Sequence, residues 1–304
     1  MASESTRILM FHRVIEDVPA AFDLPNCYRM RGTALTTAEL SRLLDNAGPI
    51  LALDEVEQAL EAGVRPPPGC VLTFDDGYRE HLDVVAPLLA DRGATATFYV
   101  ATGLHGGGQR VAAVDAWYWL LDHAAQRIGQ VPLPDGGAYQ GPLDTNATKT
   151  VWVGGLPKVG LLAATPPQQA EMIAALAASL GCALPADLAA QLYLSRQEWV
   201  SLVQLGMRVG AHSVGHPRLT QLDDRPLLTE VAESVAAVAA LAGPVAFAYP
   251  DGAHDDRVVN VVRRIGASSG VTCVPGGVPW GADVMRLPRV FVTPRFCAEA
   301  INGP

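Results

Sequence analysis

The 304-residue chain has no CxxC pair, and its five cysteines, Cys27, Cys70, Cys182, Cys273 and Cys297, are scattered and odd in number. A disulfide framework is thereby excluded, and they read as reduced, mostly buried thiols of a cytoplasmic protein. A basic excess is also lacking: the net charge is −9 and the pI is about 5.2. That argues against a nucleic-acid binder, which needs a basic face, and says little about a neutral sugar or amide ligand. No stretch approaches the roughly 18 apolar residues of a membrane span. The opening "MASESTRILMFHRV" lacks the form of a signal peptide, which again points to the cytoplasm. Internal repeats and low-complexity tracts are missing too. What the chain does have is apolar residues, 49% of it, enough for a sizeable core and too many for wholesale disorder.

Seven short apolar runs read as strands: 8–12, 71–74, 95–100, 207–212, 245–249, 270–274 and 289–293. Several are nearly continuous in apolar character, as parallel strands buried on both faces are. Helical patterns lie between most of them. "TAELSRLLDNA" follows Thr36 or Thr37 as N-cap, and "REHLDVVAPLLADRG" stops at a glycine. This alternation predicts an α/β fold with a parallel sheet. Residues 101–200 break it. "AVDAWYWLLDHAAQRIG" and "TPPQQAEMIAALAASLG" look helical, and the turn-rich stretch between them has room for a hairpin. The expected organisation is a scaffold of 1–103 and 195–304 carrying a mostly helical insertion or lid, 104–194.

Chemistry gathers where strands end, as it does at the C-terminal ends of strands in parallel α/β folds. "VLTF" runs into Asp75, Asp76 and Gly77, "MRVGA" into "HSVGH" with His212 and His216, and His12 closes "ILMFH". Alone, Asp-Asp-Gly is ordinary turn chemistry and two histidines four apart are surface residues more often than a metal pair. Together they compose a facial set of two imidazoles and one carboxylate that leaves room for water and substrate. The second carboxylate stays free as general base. That division explains why two like charges adjoin.

"TFDDG" and "HSVGH" resemble the first two motifs of the polysaccharide deacetylase family, the NodB-homology or carbohydrate esterase family 4 domains. The resemblance covers about 1–103 and 195–295. It implies an irregular (β/α)7 barrel, Asp75 as base, and Asp76, His212 and His216 as ligands of a divalent metal, usually zinc. Two family features depart. "FAYPDG" has Ala248 where an arginine that steadies the base is usual, and the C-terminal motif with a general-acid histidine is missing. The opening "ILMFHRV" and the late "LPRV" are similar to a permuted subgroup that includes the poly-N-acetylglucosamine deacetylases. That likeness gives His12 the acid's role and lets Arg289 replace the arginine beside Asp75.

Other candidates are weighed against packing. Tyr78 follows the turn and has a backbone N–H for an oxyanion. Tyr249 and Pro250 shape a loop at the mouth of the site. Trp117 and Trp119 have faces for a sugar ring, although helix packing suits at least one of them better. His81, His105 and His123 have no evident partner. The expected activity is metal-dependent N-deacetylation of an N-acetylhexosamine-containing substrate, a cytoplasmic precursor or a small amino-sugar conjugate. The alternatives are a cyclic-imide or ureide amidohydrolase on the same scaffold and a non-catalytic sugar-binding protein.

Overall fold

All seven apolar runs form strands of one parallel sheet. A computed structural model describes residues 5–241 and 243–302 of the chain. The strands are β1 (Thr6–Phe11), β2 (Ile50–Leu51), β3 (Gly69–Phe74), β4 (Thr97–Val100), β5 (Arg208–Ala211), β6 (Ala246–Ala248), β7 (Ser269–Val271) and β8 (Val290–Phe291). Their order is β7-β6-β5-β4-β3-β1-β8, with β2 added against the first half of β3. The sequence reading missed β2, because two apolar residues between two helices show no period. The stretch leading into β8 touches both sheet edges. Leu287 exchanges main-chain hydrogen bonds with Gly270 and Thr272 beside β7, while Val290 and Phe291 pair with Leu9 and Met10 of β1. The sheet therefore curls into a barrel-like (β/α) fold.

Alternation along the strands divides the core in two. Ile8, Val71, Tyr99, Ala246, Ala248, Val271 and Leu287 belong to one apolar cluster. Their neighbours Leu9, Leu72, Phe74, Phe98, Val100, Ala211 and Phe247 belong to another, packed with the helices. The first set lines the inside of the curl and the second its outside, as a period of two requires. Carried onward, the inward parity of β1, β3 and β5 reaches His12, Asp75 and His212, and the parity of Leu287 reaches Arg289. Gly210 shares this interior: a Cβ there would lie 2.5 Å from the Tyr99 ring.

The outer helices begin and end where local chemistry dictates. Thr37–Asn46 starts in a capping box, in which the Thr36 hydroxyl accepts from the Glu39 N–H and the Glu39 carboxylate from the Thr36 N–H. Arg196–Gln204 repeats this with Ser195 and Glu198. Asp256–Ile265 is capped by Asp255 and stops at left-handed Gly266, and it buries Val258, Val259, Val261 and Val262.

By its contacts the chain divides into two units. One holds the sheet: the residues up to Ile15, Leu35–Arg110 and Ala189 onward. The other comprises Glu16–Ala34 and Val111–Leu188, so residues 16–34, which the sequence placed in the scaffold, pack with the segment after residue 110. The second unit contains the helices Ala113–Asp122, Asn146–Gly154, Leu156–Ala163 and Pro166–Leu180 and an antiparallel hairpin, Ile128–Pro132 with Ala138–Pro142. Its core includes a buried ion pair, Lys149 Nζ to Asp122 at 2.7 Å. Trp117 packs there on Trp152 and donates its indole N–H to the Trp152 carbonyl at 3.0 Å.

Candidate active site

Parallel register brings the site together. Phe11 lies beside Phe74, so His12 and Asp75 are next in line, and the Asp75 N–H donates to the Phe11 carbonyl at 2.9 Å. Val100 lies beside Ala211, and the His212 N–H continues the ladder to the Val100 carbonyl at 3.0 Å. Ala211 also lies beside Phe247, which sets Ala248 next to His212.

Asp75 is 2% exposed and Arg289 1%. Arg289 donates Nη1–H to Oδ1 and Nη2–H to Oδ2 of Asp75, both at 2.8 Å. Its Nε–H donates to the Thr272 carbonyl at 2.9 Å, and Nη1 also reaches the Thr73 hydroxyl at 3.2 Å. Burial alone would raise the Asp75 carboxyl, but the Arg289 cation, helped by His212, holds it well below the usual carboxylate range. Asp75 is thus a fixed anion with a fixed orientation.

Asp76 leaves the strand alternation. Its φ is +75° and that of Gly77 is +71°, two consecutive left-handed residues that Asp and Gly tolerate best. A Cβ on Gly77 would also fall 3.0 Å from Val100. This turn aims Asp76 at the histidines: Oδ1 is 3.6 Å from His212 Nε2 and 3.5 Å from His216 Nε2. Burial opposes ionisation of Asp76, yet His216, His12 and His212 pull its carboxyl down.

His212 is 2% exposed, and its Nδ1 is 2.7 Å from the Ala248 carbonyl. A carbonyl only accepts, so Nδ1 carries the proton and the Nε2 lone pair faces Asp76. Burial lowers this imidazole to about 4 despite the opposing pull of Asp75, so it is neutral, as a ligand must be. Ala248 therefore orients a histidine through its backbone. His216 sits in a tight turn: Ser213 and His216 have φ of +63° and +57°, and the His216 N–H donates to the Ser213 hydroxyl at 3.0 Å.

This donor set suits a divalent cation. One ligand atom from each of Asp76, His212 and His216 lies within 4.8 Å of the others, and among the described residues no further cluster of this kind occurs. At tetrahedral angles, bonds of about 2.0–2.1 Å separate neighbouring donors by about 3.3 Å. The gaps of 3.5 and 3.6 Å are close to that, too long for good hydrogen bonds and short enough for a shared ion. Asp75, committed to Arg289, lies outside the set.

His12 stands beside these groups, close enough for its charge to lower both Asp75 and Asp76. Its ring meets the edge of Phe291 at 5.5 Å, and its buried Nδ1 has no hydrogen-bond partner in the structure. His81, for which the sequence offered no partner, holds it from behind. It is wholly buried, its Nε2 is 2.7 Å from the His12 carbonyl, and Phe74, Phe98 and Tyr78 surround its ring. No local pattern signals this contact, which spans 69 positions.

The remaining candidates divide. The Tyr78 ring is buried, stacked on Tyr193 and covered by the Arg13 guanidinium. Tyr249 is fully buried and donates its hydroxyl to the Met285 carbonyl at 2.9 Å. Pro250 is buried at the start of a tight 3₁₀ turn. Tyr249 and Pro250 therefore frame the loop and leave no side-chain surface for a ligand. Trp117 is fully buried with its N–H committed, so its ring has no face for a sugar. Trp119 is half-buried and stacked on His123 at 4.1 Å; His123 Nδ1 bonds the Trp119 carbonyl.

A family model described as polysaccharide deacetylase matches residues 62–118 and 188–270. The match contains Asp75, Asp76, His212 and His216 and leaves out His12 and Arg289. No curated protein matches the chain in sequence. Among solved structures, a deacetylase from Streptococcus pyogenes, PplD, solved with acetate, is similar at a TM-score of 0.60 and 18% identity, over 99% of both chains. IcaB from Ammonifex degensii is similar at 0.59 and 17%, over 98% of both. The BpsB deacetylase domain from Bordetella bronchiseptica is similar at 0.54 and 14%, over 95% of this chain and 96% of that one. At such identities the likeness extends to the fold.

Proposed function

We propose, from the premise that this chain carries a polysaccharide deacetylase domain, that it is a metal-dependent N-deacetylase. The substrate would be an N-acetylhexosamine conjugate, hydrolysed to amine and acetate. One observation carries this reading: the donors of Asp76, His212 and His216 converge while the adjacent Asp75 is held out of the set by Arg289. Asp76, His212 and His216 would hold a divalent cation, zinc by the chemistry of an N₂O donor set. When bound, the ion supplies Lewis-acid polarisation of the amide carbonyl and acidifies water at the site.

The protein's own groups account for the proton transfers. Asp75, ionised and oriented by Arg289, accepts a proton from the attacking water as its oxygen bonds to the carbonyl carbon. The Tyr78 N–H, just past the Gly77 turn, is a donor to the developing oxyanion. His12 gives a proton to the nitrogen as the C–N bond breaks, so the amine leaves neutral.

Among the described residues no helix is long and apolar enough to cross a membrane. The test is acetate release by metal-stripped and zinc-reloaded protein from N-acetylglucosamine oligosaccharides and from nucleotide-linked N-acetylglucosamine, beside opening of a cyclic imide. Zinc-dependent acetate release is the expected result. Imide opening without acetate release would assign the site to the other amidohydrolase class.

A further inference from the structure

We infer that Glu230, from the helix Asp224–Ala239, is a positioning residue that sets the spacing of His212 and His216 and thereby the affinity of the metal site. The inference rests on the ligand assignment above. The two histidines are joined by Ser213, Val214 and Gly215, and with Ser213 in the left-handed region the following N–H groups turn toward one side. One oxygen, Glu230 Oε2, accepts from both the Val214 and the Gly215 N–H at 2.8 Å. Successive amides converging on one point form an anion-binding nest, and here the anion is a side chain of the same protein. The bonds are charge-assisted and roughly twice as strong as neutral ones.

The loop is held from its other side as well, and Glu230 packs close against it. The Thr102 and Gly103 N–H groups donate to the Ser213 and Val214 carbonyls at 3.0 and 2.8 Å, so the loop is pinned on both sides. A Cβ on Gly215 would lie 3.4 Å from Glu230 Oε1 and 2.8 Å from Arg110 Nη2. Glu230 and Arg110 thus both lie close to the backbone directly before His216. Neither residue touches the ligand atoms, so Glu230 acts through the loop. His212 is already fixed by Ala248, which leaves His216 as the ligand whose position depends on this clamp. Partners outside the ligand shell commonly change metal affinity 10- to 100-fold.

The test is a zinc competition titration of the full chain against a chromophoric chelator at fixed pH, with far-ultraviolet circular dichroism to check folding. Glu230→Leu is expected to bind zinc at least tenfold more weakly than the wild type. Glu230→Gln keeps an accepting oxygen and is expected within about threefold. Should Glu230→Leu fail to fold, Glu230→Asp, one methylene too short to reach both amides, takes its place with the same direction of change. Wild-type affinity in Glu230→Leu, or in Glu230→Asp as its substitute, overturns the positioning role. So does an equal loss in Glu230→Gln and Glu230→Leu, which would assign the effect to charge alone. If the wild type itself binds no zinc, the ligand assignment fails, and this inference with it.

Discussion

Arg289 holds both carboxylate oxygens of Asp75 in a buried two-pronged pair, although the residues are 214 positions apart. In the proposed mechanism this pair orients the base. Arg289 is fixed on its other edges by the Thr272 carbonyl and the Thr73 hydroxyl. Arg289→Lys should lower turnover more than tenfold with the bound metal unchanged, because one ammonium cannot grip two oxygens in a fixed plane. Arg289→Met strands a buried anion and should cost about 3–5 kcal/mol of stability. The double variant Asp75→Asn/Arg289→Met should be more stable than Arg289→Met alone, as denaturant titration can measure.

The same pair makes stability depend on acid. The folded carboxyl of Asp75 lies below its usual range, while the unfolded chain titrates near about 3.9. Above that value the contribution is fully present. As pH falls below it, the unfolded state binds a proton that the folded state refuses, and stability drains away toward the folded value. Urea midpoints of metal-stripped protein from about pH 5 to about pH 3 should therefore decline. The decline should be shallower in Asp75→Asn, where only Asp76 and other acids still titrate.

His12 is assigned to the departing nitrogen, which gives its variant a distinctive signature. His12→Gln should slow hydrolysis of sugar acetamides by about 10²–10⁴-fold without loss of metal. The deficit should shrink sharply on an acetyl compound with a good leaving group, which departs without a proton. A uniform deficit across leaving groups would contradict the acid role.

Gly77→Ala would place a Cβ 3.0 Å from Val100 at a φ of +71°. It should cost about 1–2 kcal/mol and weaken zinc binding, because the turn that aims Asp76 at His212 and His216 is strained. Thermal melting with and without zinc separates the two effects.

Parts of this site were legible in the sequence for a physical reason. Buried parallel strands are short apolar runs, and functional groups follow where such runs end, so "VLTFDDG" and "MRVGAHSVGH" marked Asp75, Asp76, His212 and His216 directly. Arg289 was reachable only through the family likeness, since nothing local in "LPRV" points to a carboxylate 214 positions away. His81 and Glu230 left no signal at all. Each acts on a backbone group, a carbonyl in one case and two amides in the other, and backbone partners have no sequence identity. Of the two tryptophans offered a sugar face, Trp117 is the one that packs in a helix core, buried with its N–H committed.

In the proposed mechanism two adjacent carboxylates divide the work, Asp76 on the metal and Asp75 on the proton. Zinc stoichiometry and acetate release measured together on Asp75→Asn and Asp76→Asn test it most directly. The expected result is one zinc and no turnover in Asp75→Asn, and loss of zinc in Asp76→Asn. Loss of zinc in Asp75→Asn with retention in Asp76→Asn would contradict it.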